Sequence, residues 1–520
     1  MKFDELTEKE IIEIGKIYWD KELTWDERME KLSSYIDKSE RTVSTWVEKL
    51  GITEKSFQQS PQFLQAKNKK IDDKRKKFIV SWAQNNTSVH SNFVSNMEAY
   101  ASHIDASIHV IAGRYKNPTS VFTDNEYDFW ADEVLPYLDA NRHELHKYMW
   151  IMSDVKIQPT AVNPMTGLAG MSGINSCIFG SPKVHLETIP VLEGNVPKLM
   201  VSTGACTLRN YTDSKAGKKG EFHHTLGFAI VEIKDDETFF VRQVTATDDG
   251  NFTDLYFNVT DGKISSVNSI AACVLGDLHY GQHDQEVVDK TLDMFNDLHP
   301  ENVILHDVFD GLSINHHEEK DPFIQYQREV DGTNSLKKEI EVMLDGLEDF
   351  REYNVSIVRS NHDDFLDRWL KGTDWRKATT MKNSIEYMRY SLLLLEGTAM
   401  EGVIPYIIKE KFPHFNTLGR SDSFVVLDWE LAQHGDIGAS GSRGSLIQFR
   451  KLNTKIIVGH YHSPGRKDGA LAVGTSTHLR VNYNKGASGW LQTHVIIHHD
   501  GKAQHINFIN GEYTTLKPGM

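Results

Sequence analysis

The sequence predicts an α/β protein in three parts, on three observations. At 520 residues the chain is longer than one hydrophobic core ordinarily serves, so two or three domains are expected. Its apolar residues make up 39% and its charged residues 25%, the composition of a globular chain rather than a disordered one. The apolar pattern has a helical period in the first part, is mixed in the second, and in the third breaks into short runs that end in polar clusters. The expected boundaries are 1–77 for a small helical domain with a basic linker, 78–267 for a mixed α/β accessory domain, and 268–520 for the domain that carries chemistry.

In the first part Ile11, Ile12, Ile14, Ile17 and Tyr18 form one apolar stripe, and a second helix is expected over 25–36. After Asp37-Lys38, the segment SERTVSTWVEKLG offers Ser39 as an N-cap, Val43, Trp46, Val47 and Leu50 at helical spacing, and Gly51 as a stop. A short third helix with Arg41, Thr42, Ser44 and Thr45 on its open face resembles a helix-turn-helix unit. A plain helical bundle fits the pattern equally well. The basic run KNKKIDDKRKKF follows, with Lys74, Arg75, Lys76 and Lys77 at its end. Beside a DNA-reading unit these residues and Arg41 are candidate phosphate contacts; elsewhere such a run is a solvated face.

In the second part FIVSWA, SIHVIAGRY, KLMVSTGACT, HTLGFAIVEI, FFVRQVTA and FTDLYFNV are expected strands. HSNFVSNMEAYASHI is an expected helix, and 158–176 an expected loop. His143 and His146, in HELH, lack the spacing of a zinc-protease helix and are expected at the surface. The loop SKAGKKGEFHH offers Lys215, Lys218, Lys219, His223 and His224 to an anionic ligand.

With 57 Lys+Arg against 73 Asp+Glu the formal charge is −16, which argues against adhesion of the whole surface to a polyanion. Local basic patches and divalent metals can still provide for a nucleic acid. Cys177, Cys206 and Cys273 are odd in number and set among apolar or small residues, so buried thiols in a reducing compartment are expected. No apolar run is long enough for a membrane span, and the acidic start lacks the pattern of a signal peptide. A cytoplasmic protein is the expectation; a homo-oligomer remains open.

After residue 268, five expected strands lead into metal-capable clusters. AACVLGDLHYG carries Asp277 and His279, NVILHDVFDG carries Asp307 and Asp310, and VSIVRSNHDD carries Asn361, His362 and Asp363. VVLDWELAQHGD leads to His434, and KIIVGHYHSPG to His460 and His462. Any one cluster is an ordinary polar turn; five in succession at strand ends point to a common crevice.

The order D-x-H, D-x-x-D, N-H-D, H, G-H-x-H resembles the calcineurin-like metallophosphoesterase superfamily over roughly residues 268–500. That resemblance implies a four-layer α/β/β/α sandwich and a pair of divalent cations, which together supply a nucleophile and clamp the phosphoryl oxygens. It implies Asp307 as the bridging ligand, with Asp277, His279 and His462 on one cation and Asn361, His434 and His460 on the other. His362 would then face the substrate with Asp363 as its orienting partner, and Asp310 would hold a ligand histidine. Mixed nitrogen and oxygen donors suit Mn²⁺, Fe or Zn²⁺ better than Ca²⁺; for a nuclease Mn²⁺ is the expected ion, with Mg²⁺, Fe and Zn²⁺ as alternatives.

The sequence departs from that pattern at His306, where a small residue usually precedes the bridging aspartate, and at Ser360, usually glycine. His306 is expected to shape the pocket or touch substrate. Arg443, in the glycine-serine loop GDIGASGSRGSL, is a candidate phosphate contact. His316, His317, His498 and His499 are expected at the surface or on an edge strand. The N-terminal helices, basic run and extra α/β part favour a DNase acting on DNA. The layout also resembles that of phage pre-early deoxyribonucleases, which implies host DNA as substrate in the host cytoplasm. A phosphomonoesterase or protein phosphatase is the enzymatic alternative, and a DNA-binding regulator with a non-catalytic metal domain the other.

Overall fold

The computed structural model describes residues 2–3, 6–20, 23–50, 61–71, 74–115, 128–316, 318, 321–374, 383–481 and 484–519. Gly51 and His317, both singled out above, lie outside them. The chain is mixed α/β, with several mixed sheets.

Helices Glu8–Tyr18, Trp25–Ile36 and Glu40–Lys49 open the chain. Thr7 with Glu10 and Thr24 with Glu27 form capping boxes that satisfy the first free amides of two of them. The three close on Ile14, Met29, Leu32, Ile36, Val43, Trp46 and Val47. Ser39 stands at the N-cap position of the third helix, but its hydroxyl meets Thr42 Oγ1 at 3.0 Å and caps no amide.

Two sheets position the site. One has six strands, in the order Asn416–Leu418, Val355–Val358, Val303–His306, Ala272–Val274, Thr493–Ile497, Ala503–Asn507. Its first four strands are parallel, so their carboxyl ends share one edge. The second sheet has ten strands and draws on both sides of residue 268: Arg466 in Gly465–Lys467 pairs with Leu186 in His185–Ile189.

Strand alternation divides the side chains between two cores. Val303 and Leu305 pack among helical residues such as Met294, Phe295 and Met343. Ile304, with Ala272, Val274 and Val358, meets Trp429, Ile457 and Leu471 of the ten-stranded sheet. Helices therefore cover one face of the six-stranded sheet, and the other sheet lies against its opposite face.

Several expectations are corrected. FTDLYFNV is two strands, Phe252–Asp254 and Phe257–Thr260, turned at Leu255, whose φ is 47°. The SKAGKKGEFHH loop contains the helix Lys215–Phe222. His143 and His146 are enclosed: His143 Nε2 sits 2.7 Å from Asp139, and His146 Nε2 3.1 Å from the Asp235 carbonyl. His498 is buried beside Gln504, whereas His316 and His499 are exposed. All three cysteines are buried and free. No helix among the described residues is long and apolar enough to cross a membrane.

Candidate metal centre

The three parallel strands Ala272–Val274, Val303–His306 and Val355–Val358 release Asp277 with His279, Asp307 with Asp310, and Asn361 with His362 at the shared edge. The ten-stranded sheet contributes His434 past Trp429–Glu430, and His460 with His462 past Lys455–Val458. The ligands thus converge from two facing sheets.

Candidate ligand atoms of Asp277, His279, Asp307 and His462 all lie within 4.8 Å of one another, and so do those of Asp307, His434 and His460. Asp307 belongs to both groups. Its Oδ2 is 3.3 Å from His279 Nε2 and 3.1 Å from His434 Nε2. Asp277 Oδ2 is 3.1 Å from His462 Nε2 and accepts the His460 amide at 2.7 Å. Gly459 makes this approach possible: a β-carbon there would stand 2.4 Å from Asp277 Oδ1 and 2.9 Å from the His306 ring.

The backbone is turned sharply to aim these groups. His279, Asp307, His460 and His462 have φ of 45°, 47°, 74° and 54°, in the left-handed region that non-glycine residues rarely adopt. Each such residue costs on the order of 1–3 kcal/mol and persists where its surroundings over-determine it.

The donor set fits divalent cations. Asp277 and Asp307 are buried carboxylates, and the Oδ1 atoms of Asp277, Asp307 and Asn361 are buried without a hydrogen-bond partner among the described residues. Orphaned buried acceptors of this kind are costly unless a cation occupies their open side. Against the opposing effect of burial, His434 and His279 hold the Asp307 carboxyl well below its ordinary range. Burial alone would depress His434, but the Asp307 carboxylate raises it to about 9. Each group ionises toward the charge beside it.

The surrounding side chains fix the ligands. Asp310 Oδ1 is 3.2 Å from His279 Nδ1, leaving His279 Nε2 for the ligand group. His362 Nδ1 donates to the Asp310 carbonyl at 2.6 Å. Asp310, and not Asp363, therefore orients the His362 ring. Asp363 instead closes its own turn: its Oδ2 accepts the Ser360 amide at 2.8 Å, and its amide donates to Ser360 Oγ at 3.1 Å. Burial pushes the Asp363 carboxyl up to about 7. Ser360 also accepts the His362 amide at 3.1 Å, a bond that glycine lacks a hydroxyl to make.

His306 follows Ile304 by two along its strand, so it faces the opposite sheet. There its Nδ1 lies 3.4 Å from His434 Nδ1. It is wholly enclosed, and burial takes its imidazole down to about 4, so it backs a candidate ligand as a neutral ring and does not reach solvent. Arg443 is exposed, in the loop beside Tyr461. Arg41, Lys74, Arg75, Lys76 and Lys77 lie far along the chain in the N-terminal part; Arg75 pairs with Asp105, and Lys77 donates to the Ile104 carbonyl at 3.1 Å.

Sequence reasoning missed Glu339, on helix Leu336–Leu347. Its carboxylate accepts the Leu312 amide at 2.5 Å and the Ser313 hydroxyl at 2.6 Å, and so ties down the loop just after Asp310. It missed Arg420 as well, which joins Asp364 at 2.8 Å to Asp436 at 2.7 Å behind the His362 and His434 segments. Both sit in unremarkable polar contexts in the sequence, and neither carries a local signal.

Protein A1 of Escherichia phage T5 is 30% identical to this chain over 466 residues, which span 84% of this chain and 83% of that protein. No family model matches the chain, and no solved structure matches it.

Proposed function

The chain belongs to the family of Protein A1 of Escherichia phage T5, and within that family we propose a two-metal phosphodiesterase that hydrolyses DNA. In this reading the two facing sheets are the metallophosphoesterase sandwich, and the protein is a phage enzyme acting on DNA in the host cytoplasm. The observation that carries the reading is Asp307, one carboxylate shared by two buried ligand groups.

Asp277, His279, Asp307 and His462 would hold one cation; Asp307, His434 and His460, with Asn361, would hold the other. Divalent cations there supply Lewis acidity to the phosphoryl group and lower the pKa of a water nucleophile. Two carboxylates against two divalent charges leave a net positive pocket, which suits an anionic diester. His362, with Nδ1 committed to the Asp310 carbonyl, has Nε2 to exchange a proton at the leaving oxygen. The side chain is 20% exposed, so a substrate can touch it. The N-terminal helices and basic residues favour a nucleic acid over a small monoester.

The test incubates the purified chain with linear, circular and single-stranded DNA and with a chromogenic phosphomonoester, in Mn²⁺ or in EDTA. DNA cleavage in Mn²⁺ that EDTA abolishes is expected. Monoester turnover without DNA cleavage would sink the nuclease reading, and turnover of neither would favour a regulator.

A further inference from the structure

A second cluster of cations lies on strands next to the one that leads to His460 and His462, at the start of that strand rather than at its metal end. Lys183, between strands Ser176–Phe179 and His185–Ile189, is 3% exposed. Its ammonium has neither a hydrogen-bond nor an ion-pair partner among the described residues, although its amide and carbonyl are both bonded. The carbon stem of Lys183 is enclosed, while its ammonium is not sealed off and is left to meet an anion from outside.

The surroundings are cationic. Burial works most strongly against the charge on Lys183, Asp468 supports it, and Arg450 and Lys219 oppose it. Asp468 is the turn residue of the hairpin Gly465–Lys467 and Ala470–Ala472, and its carboxylate is already engaged. It lies 3.2 Å from His185 Nε2, 3.2 Å from His223 Nδ1 and 3.7 Å from Arg450 Nε. Burial keeps His185 below its ordinary range and hence neutral near pH 7. Three full positive charges thus face one negative charge, in a chain whose formal charge is −16. The backbone holds the parts together: the Thr225 amide donates to the Pro182 carbonyl at 2.9 Å, and Lys467 pairs with His185 in the sheet.

We propose that Lys183, Lys219 and Arg450 form a phosphate-binding site for the DNA strand at a distance from the metals. The inference rests on the nuclease reading above. The chain from His462 to Asp468 is short, a reach of at most about 20 Å. That corresponds to roughly six nucleotide steps of duplex at 3.4 Å each. Arg443 and Arg450 flank the short helix Leu446–Phe449, the first beside Tyr461 at the metal end and the second in the cluster. The two arginines mark the path between them.

The experiment compares the full-length chain with Lys183→Ala and Lys219→Glu on duplexes of about 6 and about 30 base pairs. Each variant is expected to lose roughly five- to tenfold in kcat/KM on the long duplex, chiefly through KM, so that the ratio of long to short falls. The slope of log affinity against log salt, measured by anisotropy in EDTA, should drop by about one for each phosphate no longer neutralised. Lys219 is exposed, so its variant carries the test if Lys183→Ala does not fold. No loss, or an equal loss at both lengths, overturns the site. Inorganic phosphate that binds saturably to the wild type but not to the variants, without any length effect, assigns a free phosphate and overturns the strand assignment. A wild-type chain that cleaves no DNA refutes the nuclease reading instead, while anisotropy with the long duplex still judges the cluster.

Discussion

Two regions of this protein bury charge completely, and they do so in opposite ways. Around Arg242, the guanidinium meets Asp254 at 2.6 Å through both Nε and Nη2 and also pairs with Glu232. Tyr100 and Gln504 donate to Asp254, at 2.5 and 2.7 Å, and Thr514 and Thr515 supply Glu232. That cluster is complete without any ligand. In the pocket of Asp277 and Asp307, the Oδ1 atoms of Asp277, Asp307 and Asn361 have no donor among the described residues, and four residues there hold left-handed backbone. Burial of charge is common to both; what marks a site is unsatisfied capacity together with local strain.

The sharpest way to break the comparison is to delete one central charge from each region. Arg242→Met leaves two carboxylates unpaired and is expected to cost about 3–5 kcal/mol of stability, read as a lowered midpoint in denaturant. Asp307→Ala should instead abolish metal retention and reduce turnover on the order of a thousandfold or more, with its thermal midpoint no longer rising on addition of Mn²⁺ as the wild type's does. If Asp307→Ala binds metal as the wild type does, the pocket is a structural cluster like the first.

His362→Ala separates chemistry from binding inside the pocket. Metal content by elemental analysis should stay at the wild-type value while turnover falls about 10²–10⁴-fold. Unchanged turnover would remove His362 from the mechanism.

The smallest expected effect concerns Glu339. Burial, and then the Asp310 charge, push its carboxyl up from 4.5 to about 7. The folded chain therefore keeps a proton that the unfolded chain releases, so this group's contribution to stability is lost as pH rises from about 4.5 through about 7. Glu339→Gln keeps an acceptor for Leu312 and Ser313 and should flatten that pH dependence, by at most about 3 kcal/mol. An unaltered stability-pH profile in the variant would show that the carboxyl titrates normally.

Much of the scaffold was legible in the sequence because local chemistry decides it. The strand Lys77–Gln84, the helix Ser91–Ile104 and the strand Val303–His306 lie where apolar period and turn residues put them. The turn at Leu255 was not legible, because nothing in FTDLYFNV besides its left-handed backbone breaks the strand pattern. Helix Lys215–Phe222 was hidden for a related reason: its two glycines and three lysines read as a loop, while its stability comes from the Ser214 cap and the close packing of Gly217 and Gly220 against tertiary neighbours.

The sequence alone determined which residue types stand at the strand ends and in what order, since both are properties of the chain: Asp277 and His279, Asp307 and Asp310, Asn361 and His362, His434, His460 and His462. Residue type and order do not by themselves say which of them meet; only the family resemblance implied a grouping. His434, His460 and His462 arrive from a different sheet than Asp277 and Asp307. The orientation of His362 by Asp310, the enclosure of His306 behind His434 and the meeting of Asp468 with His185, His223 and Arg450 likewise join residues far apart in the chain. Such contacts depend on how two sheets pack face to face, and that packing is set by the sum of many buried side chains rather than by any motif.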